Sequence, residues 1–303
     1  MLFNYFMPPR MTPNPEIPSP APSAPVNRMT GKIPIEVTPP IAYSQIQMFD
    51  QLCSLQWHLS REYAPPFVPA GAIFGEAFHA GVKSYYRARL AGRVAKLDDL
   101  LGAYHFQWTS ALSTGKPPVR FTDQWEDYDA MLILAEQLFE VFLASAHPSV
   151  VIAVDEPFAV TLAPDLPPVV GRIDLLEIRP DGDGRRWLHM VDFKLAARRS
   201  IKDDLDLDLF SLYLLAAKQA GWVDSLGLPL ALRFNIVFKQ RVLELMSAPV
   251  TRQGIDHLVG KVRHCDRYMK EGISYPTSSL ACAACSFAAQ CREWPHLPTL
   301  NAV

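Results

Sequence analysis

A change of hydrophobic period after Pro148 constrains the fold more than any other feature. Residues 93 to 150 read as mainly helical, above all QWEDYDAMLILAEQLFEVFLASA, where apolar residues recur at helical spacing with acidic ones between them. Three β-like runs then follow, VIAVDEPFAVTLA, PPVVGRIDLLEIRP and RRWLHMVDFKLA. The last two are joined by DGDG, a strong hairpin signal, so the three predict an antiparallel meander. A helix around DLDLFSLYLLAAKQAG, strands in ALRFNIVFK and VLELMSAP, and a helix from about 252 to 271 complete an α/β body.

The meander has an N-terminal prelude of different character. Residues 1 to 40 hold 11 of the 27 prolines, which cannot donate to helices or sheets, and this predicts a disordered or extended tail; Met11 and Met29 are alternative starts. Order is expected from AYSQIQMFDQL, where Ser44 and Gln47 have capping-box spacing and Tyr43 with Met48 would form the hydrophobic staple of a helix leading to Cys53. A second helix is expected over roughly 70 to 91, and its i+4 row reads Gly71, Gly75, His79, Lys83, Arg87. That stripe is small at one end, which would let a strand backbone approach the face of His79 closely, and cationic at the other.

Composition excludes some classes. With 303 residues and 49% hydrophobic content the chain can bury a large core. It has no apolar run near the roughly 20 residues of a membrane span, and no apolar segment of signal-peptide length before its prolines, which predicts a soluble cytoplasmic protein. A net charge of −2 argues against coating nucleic acid by bulk electrostatics, although a local basic groove survives that objection. Without a secretory signal, the five cysteines read as ligands, nucleophiles or core residues rather than a disulfide framework.

Two opposite charges, Asp192 and Lys194, interrupt the otherwise buried run RRWLHMVDFKL. A hairpin would bring Asp192 beside Asp174 of the preceding GRID, and period-2 geometry puts Asp192 and Lys194 on one face. Facing carboxylates repel unless a cation lies between them. Oxygen ligands at roughly 2.1 Å suit Mg²⁺ or Mn²⁺. A lysine beside such an ion is placed to orient an attacking water or to offset charge on a phosphate. A single Asp-x-Lys tripeptide also fits an ordinary strand salt bridge.

With GRID before it and Glu156 upstream in VDEPF, the arrangement resembles the PD-(D/E)XK nuclease superfamily, whose core pairs an acidic residue on one strand with D/E-x-K on the next. The matching elements are Ile173-Asp174 and Asp192-Phe193-Lys194. Further motifs resemble its RecB-like, AddB-type branch and a CRISPR-associated exonuclease family. They are the Ser-containing helix start YSQIQMFDQLC, a Gly-x-x-x-His pair at Gly75 and His79, and GISYPTSSLACAACSFAAQC near the end. The resemblance spans about residues 42 to 294. It implies a restriction-endonuclease-like α/β core, a mixed central sheet flanked by helices, in a single domain over 41–303 with a helical insertion at 93–150 and a cysteine-cluster segment at 273–294. It further implies a divalent ion held by His79, Asp174, Asp192 and the Phe193 carbonyl. Asp192, Asp174, Lys194, Glu156 and Tyr213 would then serve a DNA nuclease acting on ends or single strands, in repair, recombination or defence. Lys83 and Arg87, one and two turns beyond His79 on the same stripe, fit phosphate receivers and a solvated helix face equally well. Two departures stand out. Ser54 follows Cys53 where the family has proline, and Leu209 occupies the glutamine position of the family's Gln-x-x-x-Tyr motif, with Asp208 beside it as a substitute. The absence of a G-x-x-x-x-G-K-[ST] loop assigns any unwinding to a helicase partner.

Cys282, Cys285 and Cys291 form C-x2-C-x5-C, three thiolates of a four-cysteine site. The resemblance supplies Cys53 as the fourth and implies a [4Fe–4S] cluster tying the first helix to the C-terminal segment, a closure worth about 5 kcal/mol on chain-entropy arguments. Structural zinc is the alternative, with His58 as the one further ligand near Cys53. Cys265, in the helical VRHCDRYM, reads as a core residue. Two other functions stay open at this point: a non-catalytic DNA-binding scaffold of a helicase–nuclease complex, and a zinc-stabilised RNA-processing enzyme.

Overall fold

A computed structural model describes residues 39–113, 115–121, 127–195 and 207–294. Nearly all of the proline-rich stretch lies outside these residues. The chain runs β1 (Ile41–Ala42), α1 (Tyr43–Gln47), a π-helical turn (Met48–Leu52), α2 (Ser54–Glu62), β2 (Val68–Pro69), α3 (Ala70–Leu90), α4 (Leu97–Ala111), β3 (Val119–Arg120) and α5 (Tyr128–Ser145). The meander follows as β4 (Val150–Val160), β5 (Val169–Pro180) and β6 (Arg186–Leu195). Then come α6 (Leu207–Gln219), α7 (Trp222–Leu226), β7 (Leu230–Val237), β8 (Val242–Met246), α8 (Arg252–Lys270), a 3₁₀ turn (Leu280–Ala284) and α9 (Ala288–Glu293). Among the described residues no helix is long and apolar enough to cross a membrane.

The expected meander is present: β4 pairs β5 and β5 pairs β6, both antiparallel, and β6 continues into β7 in parallel, with β8 antiparallel at the edge. This is a mixed sheet with helices on both faces. β6 is buried without interruption from Leu188 to Phe193, as a strand covered on both sides must be. Met190, Leu188 and Ile173 join one core with Phe210 and Tyr213 of α6 and Leu258, Val262 and Cys265 of α8. Leu175, Val191 and Phe193 join a second core with α3, α4 and α5, in which the Phe78 and Phe139 rings stack at 4.8 Å. The helices of the 93–150 region thus join α3 in one of the two layers that bury the sheet. Cys265 is fully buried in the first core, as read from sequence, and burial pushes its thiol up to about 12.

Two local expectations are corrected. The first helix begins at Tyr43, with Ala42 as its N-cap, and it is Gln45 whose side chain accepts from the cap N–H at 3.3 Å, not a Ser44–Gln47 box. Gly71 and Gly75 have open space where a side chain would stand. The close approach on this helix is at Gly81, where a Cβ would run into the Phe139 ring.

At one end of the sheet a buried ionic network crosses three strands. Arg233 donates to Glu177 at 2.6 Å and stands 3.6 Å from Glu244, which also holds Arg179 at 2.7 Å. Both Arg233 and Glu177 are almost wholly buried. Arg233→Ala would strand Glu177 as an uncompensated buried charge, so chemical denaturation should show a loss of about 3–5 kcal/mol.

Candidate active site

The sheet parts where the sequence places its acidic residues. β5 is paired to β6 from Pro180 only as far as Leu175, whereas β1 takes the same edge of β5 at Val169 and Val170. Residues 171 to 174 of that edge lie in the gap. The Asp174 carboxylate fills the place of the next ladder bond, its Oδ2 accepting the Phe193 N–H at 3.0 Å. β6 runs on beyond the split, held by β7 through Leu195. This brings Asp192 and Lys194 out at the point of divergence.

Each carboxylate has its own surroundings. Asp174 faces α3: His79 Nδ1 stands 3.6 Å from Oδ2 and Lys83 Nζ 3.5 Å from Oδ1. Burial pushes the Asp174 carboxyl up, but His79, the Phe193 N–H and Lys83 pull it further down, so it is held below the usual carboxylate range. Asp192 faces α6: its Oδ1 accepts the Tyr213 hydroxyl at 3.2 Å, and Lys194 Nζ lies 2.8 Å from Oδ2. That contact is an ion pair, and among the described residues no other group donates to Oδ2. Burial raises the Asp192 carboxyl and the Asp174 charge raises it further, against the pull of Lys194. Tyr213 also donates to the Arg172 carbonyl at 3.3 Å, and is kept firmly neutral by burial and the two aspartates.

Without a bound cation, ionising Asp192 therefore costs the fold stability, whereas ionising Asp174 contributes to it. A carboxyl whose folded pKa is raised contributes stability that is complete below its unfolded pKa and lost as pH rises through the folded one. Without metal, the stability of Asp192→Asn relative to the parent should for that reason rise as pH climbs from about 4 toward neutrality. Thermal melts across that pH range read it directly.

Among the described residues no three His, Cys, Asp or Glu side chains are gathered closely enough to hold an ion as they stand. The donor set nonetheless fits one. Two buried carboxylates on adjacent strands, one with an oxygen lacking a hydrogen bond, plus an imidazole beside them, carry negative charge that a hard divalent cation would neutralise.

Not every residue read from the sequence joins them. Glu156 pairs across the sheet with Ile173 and, among the described residues, its side chain has no hydrogen bond or ion pair. Its neighbour Asp155 is the one that faces the site: the register on either side, Val154 with Leu175 and Glu156 with Ile173, sets Asp155 opposite Asp174. Asp155 takes Lys83 at 2.7 Å, Arg172 Nε at 2.9 Å and Arg87 at 3.4 Å. Lys83 and Arg87, read as phosphate receivers, are thus engaged with a carboxylate. Burial raises Asp155, but Arg172 and Lys83 outweigh it and hold its carboxyl low. Leu209, at the family's glutamine position, is buried in the core, and Asp208 pairs with Lys261 at 2.6 Å.

A second convergence joins the ends of the fold. Cys53, Cys282, Cys285 and Cys291 line one cavity of about 240 Å³, closed on its inner side by Leu55, Leu59 and Phe287. Burial pushes the Cys285 and Cys291 thiols upward, and the neighbouring cysteines push them further. Backbone N–H groups point at two of them, Gln56 and Thr277 at Cys53 and Ser279 at Cys282, each at 3.4 Å. His58 pairs with Glu62 at 3.2 Å and does not line the cavity.

A mixed sheet that splits to present an aspartate on one strand and Asp-x-Lys on the next defines a restriction-endonuclease-like core. The chain belongs to the PD-(D/E)XK nuclease superfamily, whose family model matches residues 40–292. No curated protein matches the sequence. Among solved structures, a "Putative exonuclease" from Eubacterium rectale is similar at 13% identity and a TM-score of 0.44, over 86% of this chain and 89% of that one. The structure of SSO0001 is similar at 13% identity and a TM-score of 0.29, over 82% of this chain and 94% of that one.

Proposed function

We propose that this protein is a divalent-metal-dependent DNA nuclease that attacks DNA ends or single strands, built as one domain over 41–303 with a cysteine-cluster segment at 273–294. The observation that carries the reading is the pair of buried carboxylates, Asp174 and Asp192, meeting where β5 and β6 separate, with Lys194 at 2.8 Å from the second. Asp174, Asp192, His79 and the Phe193 carbonyl would hold Mg²⁺ or Mn²⁺. When bound, the ion lowers the pKa of a coordinated water and offsets phosphate charge. Lys194 is placed to orient the attacking water and to meet charge building on the phosphodiester. Tyr213 fixes the Asp192 carboxylate from the core side. Arg87 and Arg172, both more than half exposed at the rim, are placed to meet the strand.

The four cysteines support a [4Fe–4S] cluster over zinc. Four thiolates suit either, but the sulfurs border a cavity far larger than one ion, and among the described residues no three of them are close enough to share one. Its role would be structural. Leu209 favours the alternative of a non-catalytic scaffold, since a buried leucine cannot position substrate, yet Tyr213 reaches Asp192 without help from that position.

The test is hydrolysis of end-labelled single- and double-stranded DNA by anaerobically purified protein with Mn²⁺, with EDTA, and with Asp192→Ala. Mn²⁺-dependent degradation abolished by the substitution supports the reading. Equal degradation by both proteins, or none by either, sinks it.

A further inference from the structure

Asp155 is, among the described residues, the one non-glycine residue with positive φ, at 61°. Aspartate and asparagine tolerate that left-handed backbone better than other side-chain-bearing residues, and such conformations persist where the surroundings hold them. Here the conformation aims a carboxylate at Lys83, whose ammonium is shared between two strands: 2.7 Å from Asp155 Oδ1 and 3.5 Å from Asp174 Oδ1. Arg172 and Arg87 fasten Asp155 from the solvent side.

A cation that takes an Asp174 oxygen as ligand must share it with Lys83 or displace the ammonium. We infer that Asp155 is a positioning residue which draws Lys83 aside, keeping the Asp174 oxygen open to a divalent ion. Without the Asp155 charge, Lys83 closes on Asp174 and competes with the metal. The inference rests on the reading of Asp174 as a metal ligand.

The experiment titrates the full chain with Mn²⁺ in the absence of DNA and follows free Mn²⁺ by electron paramagnetic resonance, so that turnover plays no part. Asp155→Asn keeps the backbone preference and removes the charge; it should weaken Mn²⁺ binding about tenfold, equivalent to roughly 1.4 kcal/mol. Lys83→Gln should bind at least as tightly as the parent. The double variant should match Lys83→Gln, because with no ammonium present Asp155 has nothing to hold aside. Asp155→Gly, which also suits the positive φ, repeats the measurement should the asparagine variant melt early. Parental affinity in both Asp155 variants overturns the inference. So does a double variant as much weaker than Lys83→Gln as Asp155→Asn is than the parent, since that pattern is a through-space charge effect. If the parent takes up no Mn²⁺, or Asp174→Asn leaves uptake unchanged, the metal-site reading has failed and the inference goes with it.

Discussion

Lys194→Met should reduce DNA hydrolysis by about a hundred- to a thousandfold in kcat, the usual loss when one group stabilising developing charge is removed. Methionine keeps the length of the aliphatic stem and gives up the ammonium, which sits over the Phe234 ring at 5.8 Å, so packing alone would predict little change. What is lost is the counter-charge at Asp192 Oδ2. Single-turnover cleavage of end-labelled DNA at saturating Mn²⁺ separates this from weaker metal binding. A rate within threefold of the parent would mean that Lys194 is a strand salt bridge and nothing more. The same substitution leaves Asp192 buried without its lysine, which raises its carboxyl further. The metal-free variant should accordingly lose stability as pH rises above the carboxylate range.

Cys53→Ser should have the larger effect on the folded state. The hydroxyl is a poor ligand for iron, so the broad absorption near roughly 400 nm expected of thiolate-bound iron should be lost from anaerobically purified protein. The tie that such a cluster would make between α2 and the C-terminal segment would go with it, leaving the hydrogen bonds between Ser54 and Tyr275. Closing a loop of that size constrains the unfolded chain by about 5 kcal/mol, so the melting temperature should fall by on the order of 10 °C. Limited proteolysis should then cut between Gly272 and Ala281, a stretch almost wholly exposed already. An unchanged melt and a colourless parent containing stoichiometric zinc would replace the cluster with a zinc site.

Much of this site was legible because strands obey a period of two and DGDG marks the hairpin. Those two facts put Asp174 next to Asp192 before any coordinates. Other parts were hidden for definite reasons. Glu156 stands out in VDEPF, but β4 carries a register irregularity between Val151 and Ala153 and a left-handed residue at 155, and which acidic side chain faces Asp174 depends on that pairing. A bulge leaves little trace in a single strand's sequence. Asp155 was missed for the same reason, and with it the true partners of Lys83 and Arg87. Likeness to a family, not the stripe Gly71, Gly75, His79, suggested that His79 lies beside Asp174, where the two stand 3.6 Å apart. The stripe misattributed the close helix packing, because small residues on a stripe do not say which face another element crosses. The cysteines were readable as three from their spacing, while the fourth, more than two hundred residues earlier, came only from likeness to a family.

The bonds around Tyr275 bear on how the chain is made. Ser54 Oγ donates to the Tyr275 carbonyl at 3.0 Å, the Tyr275 N–H returns to Ser54 Oγ at 3.0 Å, and the Leu55 N–H reaches the same carbonyl at 3.2 Å, across some 221 residues. A nascent polypeptide leaving the ribosome presents α2 some 221 residues before Tyr275 emerges. The face of that helix carrying Leu55 and Leu59 stays uncovered until Phe287 follows. Ribosome stalling or premature termination upstream of Tyr275 would release chains whose opening segment has nowhere to dock, natural clients for chaperones and proteases.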